Sequence, residues 1–236
     1  MPIYTARQHP AAYGHAVGIL LLDYRGPFVP GDVGNASTYS YPVLFRTVPG
    51  ASSRRVFDGD EALAEAVADA ARALEAHGVQ GISSDCGFFL AYQQRVAAAV
   101  NIPVYLSSLL QLPFMAATID PARLIGVIAA NGKSLTPALL AQAGVDPARI
   151  IPRGLETEPV FGGSVTGGAR SLDTDAVCAE VVHVARQLQH NHPRLGAILI
   201  ECSMLPPYSK AVQDATGLPV FDFITMVDWF QAATRD

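Results

Sequence analysis

GISSDCGFF, Gly81 to Phe89, decides how the rest of this chain is read. A short apolar segment runs into a cysteine, a glycine follows, and a helical pattern opens behind it. The same device returns as AILIECSML, Ala197 to Leu205. Cys86 lies 17 residues before Pro103 of NIPVYL, and Cys202 lies 17 residues before Pro219 of GLPVFD. An acid precedes each cysteine, Asp85 in one copy and Glu201 in the other. The chain is an internal duplication with a thiol at the matching point of each half.

Working outward from the first copy, strand and helix patterns alternate. Residues 16–22 read as a strand buried on both faces, the kind a parallel sheet uses. Residues 42–48 make a second strand. A helix then carries Leu63, Val67, Ala70, Ala71 and Leu74 on one stripe, with Asp58 as its expected cap and Gly78 as its stop. Residues 79–84 are the strand that delivers Cys86, 88–100 a helix, 103–106 a strand and 109–118 a short helix. The second half restarts with RLIGVIAANG, whose strand at 124–132 matches the first. A helix at 135–143, a short strand at 150–151, a glycine-rich flexible loop at 158–170 and a long helix at 173–191 follow. Strand 195–201 delivers Cys202; then come helix 207–216, strand 220–223 and helix 225–233. This is an α/β chain of two duplicated parallel-sheet halves. The first half is 1–112, expected to be rejoined by 218–236, and the second is 113–217. The loop at 24–41, which contains PGDVGNAS, is longer than an ordinary α/β connection. It is either a lid over the site or a surface excursion.

Composition narrows the function. Half of the 236 residues are apolar and 16% are charged, enough to bury a sizeable core. A formal charge of -5 speaks against nucleic acid or an anionic membrane surface, both of which need a basic face. The run at 16–22 is too short to span a bilayer and has no basic cluster before it. Three cysteines, Cys86, Cys178 and Cys202, form no CxxC pair and leave an odd thiol in any pairing. The expectation is a soluble cytoplasmic protein with free thiols.

In open parallel sheets ligands bind beyond the carboxyl ends of the strands, where both Cys86 and Cys202 fall. Each stands at the start of an expected helix, whose field would lower the thiol pKa by somewhat less than about one unit. Asp85 and Glu201 push the other way unless strand alternation turns them aside. A single free cysteine is commonly a small buried hydrophobe; two at duplicated positions point to function. Cys178 sits on an apolar helix face and is expected to be inert. Backbone N–H groups at Gly87, Phe88, Ser203 and Met204 are suited to a substrate carboxylate or its enolate. Asn131 and Ser134 add donors, and Tyr41 and Phe88 are candidate pocket walls. Arg25 and Lys133 either hold a second carboxylate or are solvated loop charges, the latter being preferred.

Several sharper motifs fail. NGKS, Asn131 to Ser134, lacks the glycine a phosphate loop needs at Val127. No GxGxxG opens the first helix, His190 and His192 have no third ligand nearby, and no lysine has a pyridoxal phosphate setting. No cofactor and no metal are expected.

SSDCGFF, IPVYLSSLLQ, RLIGVIAANG and LIECSMLPPYSKAVQDATGLPVFD together resemble the aspartate/glutamate/hydantoin racemase superfamily, over nearly the whole chain. Arylmalonate decarboxylase and maleate isomerase belong there too. The resemblance implies two similar halves related by pseudo-twofold symmetry, with the active-site cleft between them and Cys86 and Cys202 as the paired acid and base. Glutamate racemases carry Asn-Thr after the first cysteine and Thr-His after the second. Gly87-Phe88 and Ser203-Met204 stand there instead. The PGDVGNAS loop with YPVLFRTVPG looks closer to a branch that also resembles the algal dimethylsulfoniopropionate lyases. The first expectation is a cofactor-independent racemase or epimerase acting at the carbon α to a carboxylate, in a homo-oligomer. A β-eliminating lyase or a decarboxylase on the same scaffold is the rival. A carboxylate-binding protein without chemistry ranks below both.

Overall fold

Among the residues that the computed structural model describes (3, 13–163 and 171–234), seven strands fall into two sheets. β1 (Val17–Leu21), β2 (Val43–Thr47) and β3 (Gly81–Ser84) form the first, in the order β2-β1-β3. β4 (Leu124–Ala129), β5 (Ile150–Gly154), β6 (Leu195–Ile200) and β7 (Val220–Phe221) form the second, in the order β5-β4-β6-β7. Every strand pair is parallel. The helices are α1 (Ser53–Phe57), α2 (Ala64–Ala76), α3 (Gln93–Ala97), α4 (Leu112–Thr118), α5 (Pro137–Gln142), α6 (Thr174–Asn191), α7 (Ser209–Thr216) and α8 (Phe223–Ala233).

The duplication extends to individual hydrogen bonds. Ile82 bridges Val104 at the edge of the first sheet, and Ile198 pairs with Val220 at the edge of the second. The Ile82 amide donates to Pro103 O at 3.0 Å, and the Ile198 amide donates to Pro219 O at 2.9 Å. Helix packing repeats as well. A Cβ on Gly18 of β1 would stand 2.9 Å from Leu74 Cδ1 of α2, and one on Gly126 of β4 would stand 2.3 Å from Leu188 Cδ2 of α6. Both glycines let a leucine from the covering helix rest on the sheet backbone.

The differences from expectation are local. Asp58 ends α1, an element absent from the expectation; Asp60 caps the next turn through the Ala62 amide. The stretch behind Cys86 is a 3-10 turn, Gly87–Tyr92, and only Gln93–Ala97 is α-helical. The strand expected at 103–106 is reduced to the single Val104 bridge, whereas β5 runs three residues beyond Ile151. Part of the glycine-rich loop, 164–170, lies outside the described residues. Segment 218–236 divides: β7 pairs with β6, while α8 packs on β1 through Phe223, Met226 and Val227 and stacks Phe230 on Tyr105 at 4.1 Å. The division of the chain into 1–112 with 218–236 and 113–217 is thus a proposal rather than an observed boundary.

Side-chain hydroxyls stitch the halves together. Ser108 Oγ donates to Glu201 O at 3.2 Å, and Ser203 Oγ donates to Asp85 O. Gln111 Nε2 reaches Asp222 O at 2.8 Å, at the cap of α8. No helix among the described residues is long and apolar enough to cross a membrane.

Gly126→Val is expected to destabilise the chain by about 1–3 kcal/mol in urea unfolding, because the added branch displaces Leu188 from a filled core. Leu188→Ala in the same chain should recover part of that loss. Equal stability of Gly126→Val and wild type would show that α6 does not rest on β4 as described.

Candidate active site

The last ladder bonds of the two central strands set the site. The Asp85 amide donates to Leu20 O at 2.9 Å, and the Glu201 amide donates to Ile128 O at 2.8 Å. Each acid is therefore still held by its neighbouring strand, and the cysteine after it is the first residue free to leave the sheet. Cys86 and Cys202 leave their sheets toward each other and line one pocket at the seam. The space enclosed between them is small, about 30 Å³.

Of the seven residues expected to bind substrate, four line this pocket. Gly87, Phe88, Ser203 and Met204 line the same pocket as the thiols. Asn131 and Ser134 line a separate, wider cleft together with Lys133. Phe57 and Phe88 stand between the two spaces, with ring centroids 4.8 Å apart. Tyr41 does not reach either space: its hydroxyl donates to Asp228 at 2.7 Å and its ring packs with the third core cluster. Arg25 lines neither space. Cys178 lies on α6, packed against the second core cluster and away from the pocket.

The thiols are not activated in the manner first expected. Burial pushes the Cys86 thiol well above its ordinary pKa, and Glu201 and Asp85 add to this. Burial does the same at Cys202, with Glu201 the next cause. Cys86 caps a 3-10 helix rather than an α-helix, and no helix starts directly at Cys202, so neither thiol faces a full α-helix end. What opposes the rise is one amide in each half. The Phe88 N–H is directed at the Cys86 sulfur and the Met204 N–H at the Cys202 sulfur.

The acids are themselves perturbed. Burial raises Asp85 to about 7, although its Oδ1 accepts from the Leu22 amide at 2.8 Å. Burial raises Glu201 to about 8, against the pull of the Ala130 amide, which closes no hydrogen bond with it. Asp32 of the long loop is raised to about 8, again chiefly by burial.

The loop at 24–41 is part of the pocket wall. Tyr24 and Phe28, near its start, line the pocket with ring centroids 6.1 Å apart. Further along, Val33 is buried and its amide donates to Ser203 O at 3.2 Å, so the loop reaches the second half. Thr38 accepts from the Gly31 amide at 2.9 Å and donates to Asp32 O at 2.6 Å, which closes the loop on itself. Tyr24, Phe28, Ser53 and Phe57 are pocket residues that sequence reasoning missed. The Ser52–Ser53 pair was the available signal for α1, since Ser52 caps it by accepting from Arg55 N at 3.5 Å.

No family model matches the chain. Among solved structures, an allantoin racemase from Klebsiella pneumoniae aligns with a TM-score of 0.65 at 17% identity, covering 92% of this chain and 87% of that one. Arylmalonate decarboxylase aligns with a TM-score of 0.62 at 18% identity, covering 93% and 92%. The fold is that of the aspartate/glutamate racemase-like enzymes. Among curated proteins, dimethylsulfoniopropionate lyase 7 of Emiliania huxleyi is 37% identical over 94% of this chain and 67% of its own length. The dimethylsulfoniopropionate lyase of Durusdinium sp. clade D is 35% identical over 91% of this chain and 73% of its own length. The chain spans 60% of another such protein, lyase 3 of Emiliania huxleyi. With more than a third of its residues shared along two thirds of lyase 7, the chain belongs to the dimethylsulfoniopropionate lyase family.

Proposed function

We propose that this protein is a lyase that needs no cofactor and cleaves a small β-sulfonio carboxylate of the dimethylsulfoniopropionate type. One thiolate of the Cys86/Cys202 pair takes a proton from the carbon α to the carboxylate. The C–H electron pair becomes the new C=C bond, and the β C–S pair leaves with sulfur, cancelling its positive charge. The products are acrylate and dimethyl sulfide, and the abstracted proton stays on the cysteine sulfur. The observation that supports this reading is the convergence of Cys86 and Cys202 in one pocket, in a chain whose relatives at 37% and 35% identity are named lyases. The racemase first expected uses the same pair of thiols on opposite faces. It has only the shared fold behind it, at identities below 20%.

Proton NMR in D₂O on dimethylsulfoniopropionate should show vinylic signals of acrylate. Cys86→Ala and Cys202→Ala should differ: loss of the base costs about 10²–10⁴ in rate, whereas loss of the partner leaves measurable turnover. Deuterium gain at the α-carbon of amino acids or hydantoins, without any unsaturated acid from the sulfonium compound, would restore the racemase reading.

A second outcome follows from the thiols. Because burial and Glu201 hold both well above the ordinary value, little thiolate exists in the free enzyme near neutrality. The profile of kcat/KM, which reports the free enzyme, should climb from pH 7 to pH 9 without a plateau. A plateau beginning near pH 6 would exclude a buried thiol as the base.

A further inference from the structure

Among the described residues, Glu201 is the one pocket acid that no protein group hydrogen-bonds. It is buried, it lines the pocket with both cysteines, and neither of its oxygens makes a hydrogen bond. Its counterpart in the duplication behaves differently. Asp85 folds back on its own half and accepts from the Leu22 amide at 2.8 Å. The equivalent amide in the second half, Ala130, closes no such bond, because the longer glutamate extends across the seam. There it lies on the backbone of Gly87: a Cβ on that glycine would stand 2.0 Å from Glu201 Oε1. The Gly87 that departs from the glutamate-racemase pattern is thus the residue that makes room for this carboxyl.

A buried carboxyl with no donor costs stability, so its retention calls for a partner that arrives from outside. Among the described residues, the pocket lining contains no lysine, arginine or histidine. It does contain the rings of Tyr24, Phe28, Phe57 and Phe88, and aromatic faces attract onium cations. We infer that Glu201 is the binding residue for the positive end of the ligand, an onium group enclosed by these four rings. This rests on the lyase reading for the choice of ligand, since a sulfonio carboxylate carries such a group. Glu201 is protonated in the empty pocket, and the cation draws it into the ionised form, releasing one proton to solvent. The other titratable groups facing this space are Cys86, Cys202, Asp85 and Tyr24, with Asp32 acting on Cys202 from the loop.

The test is isothermal titration calorimetry on the full chain with two unreactive probes of equal shape. One is 3-(trimethylammonio)propionate; the other is 4,4-dimethylpentanoate, its neutral carbon isostere. Wild type should bind the ammonium compound at least about tenfold more tightly. That preference should grow as pH rises through about 8, because ionised Glu201 is the form that binds the cation. Near neutral pH, below the Glu201 pKa of about 8, titrations in two buffers of different ionisation enthalpy should report release of one proton. In Glu201→Gln the preference should fall to within about twofold and proton release should vanish, with 4,4-dimethylpentanoate affinity unchanged. Glu201→Asp keeps the acid but has the length that lets Asp85 reach its amide; it should fold back onto Ala130 and lose the preference too. A retained preference in a folded Glu201→Gln or Glu201→Asp chain overturns the assignment. So does equal binding of both probes by wild type, failure of wild type to bind either, or proton release that persists in Glu201→Gln and so comes from the thiols. Failure of the lyase reading looks different: wild type would make no acrylate, yet Glu201 would still govern the ammonium preference.

Discussion

Two backbone hydrogen bonds, Asp85 N to Leu20 O and Glu201 N to Ile128 O, carry the geometry of the pocket. They continue each parallel ladder one residue past the named strand, so that the acids are held and the cysteines are released together. Because β1 and β4 are the central strands of their sheets, the accepting carbonyls come from the most rigid part of each half. The serine contacts across the seam, from Ser108 to Glu201 O and from Ser203 to Asp85 O, then fix the distance between the halves. Fold and site share one set of bonds.

The electrostatic character of the pocket opposes the stability of the fold. Folded Asp85 and Glu201 hold their protons to about pH 7 and 8, whereas unfolded carboxyls release them near pH 4. Between those limits the native state binds more protons than the unfolded chain, so stability falls as pH rises through the window. The same acids keep the thiols protonated in the empty site. A cationic ligand relieves both effects, since positive charge favours carboxylate and thiolate alike. An enzyme of this design is activated by what it binds. A substrate that is neutral at that end leaves the carboxyl and the thiols as they were.

The duplication explains why much of this was legible in the chain. Gly18 and Gly126, Leu22 and Ala130, Asp85 and Glu201, and Cys86 and Cys202 each occupy one structural position twice. A pattern that repeats is far harder to produce by chance than one that does not. Single features fared worse. Tyr41 read as a pocket wall and is instead tied to Asp228, a contact across most of the chain length. Asn131 and Ser134 follow the right strand but open into the neighbouring cleft, because Phe57 and Phe88 close the space between. The helix expected behind Cys86 begins as a 3-10 turn and becomes α-helical only at Gln93.

Sequence by itself determined the two-sheet parallel α/β architecture, the duplicated thiols at strand ends and the placement of Cys178 on a helix face. These follow from local periodicity, from turn residues and from repetition, all of which act over short stretches of chain. Only the tertiary structure decided that Asp85 and Glu201 share the pocket with the thiols, and that one of them is bonded while the other is not. That difference arises from one methylene and one missing Cβ. Glu201 is just long enough to cross the seam, and Gly87, from the other half of the chain, is just small enough to receive it.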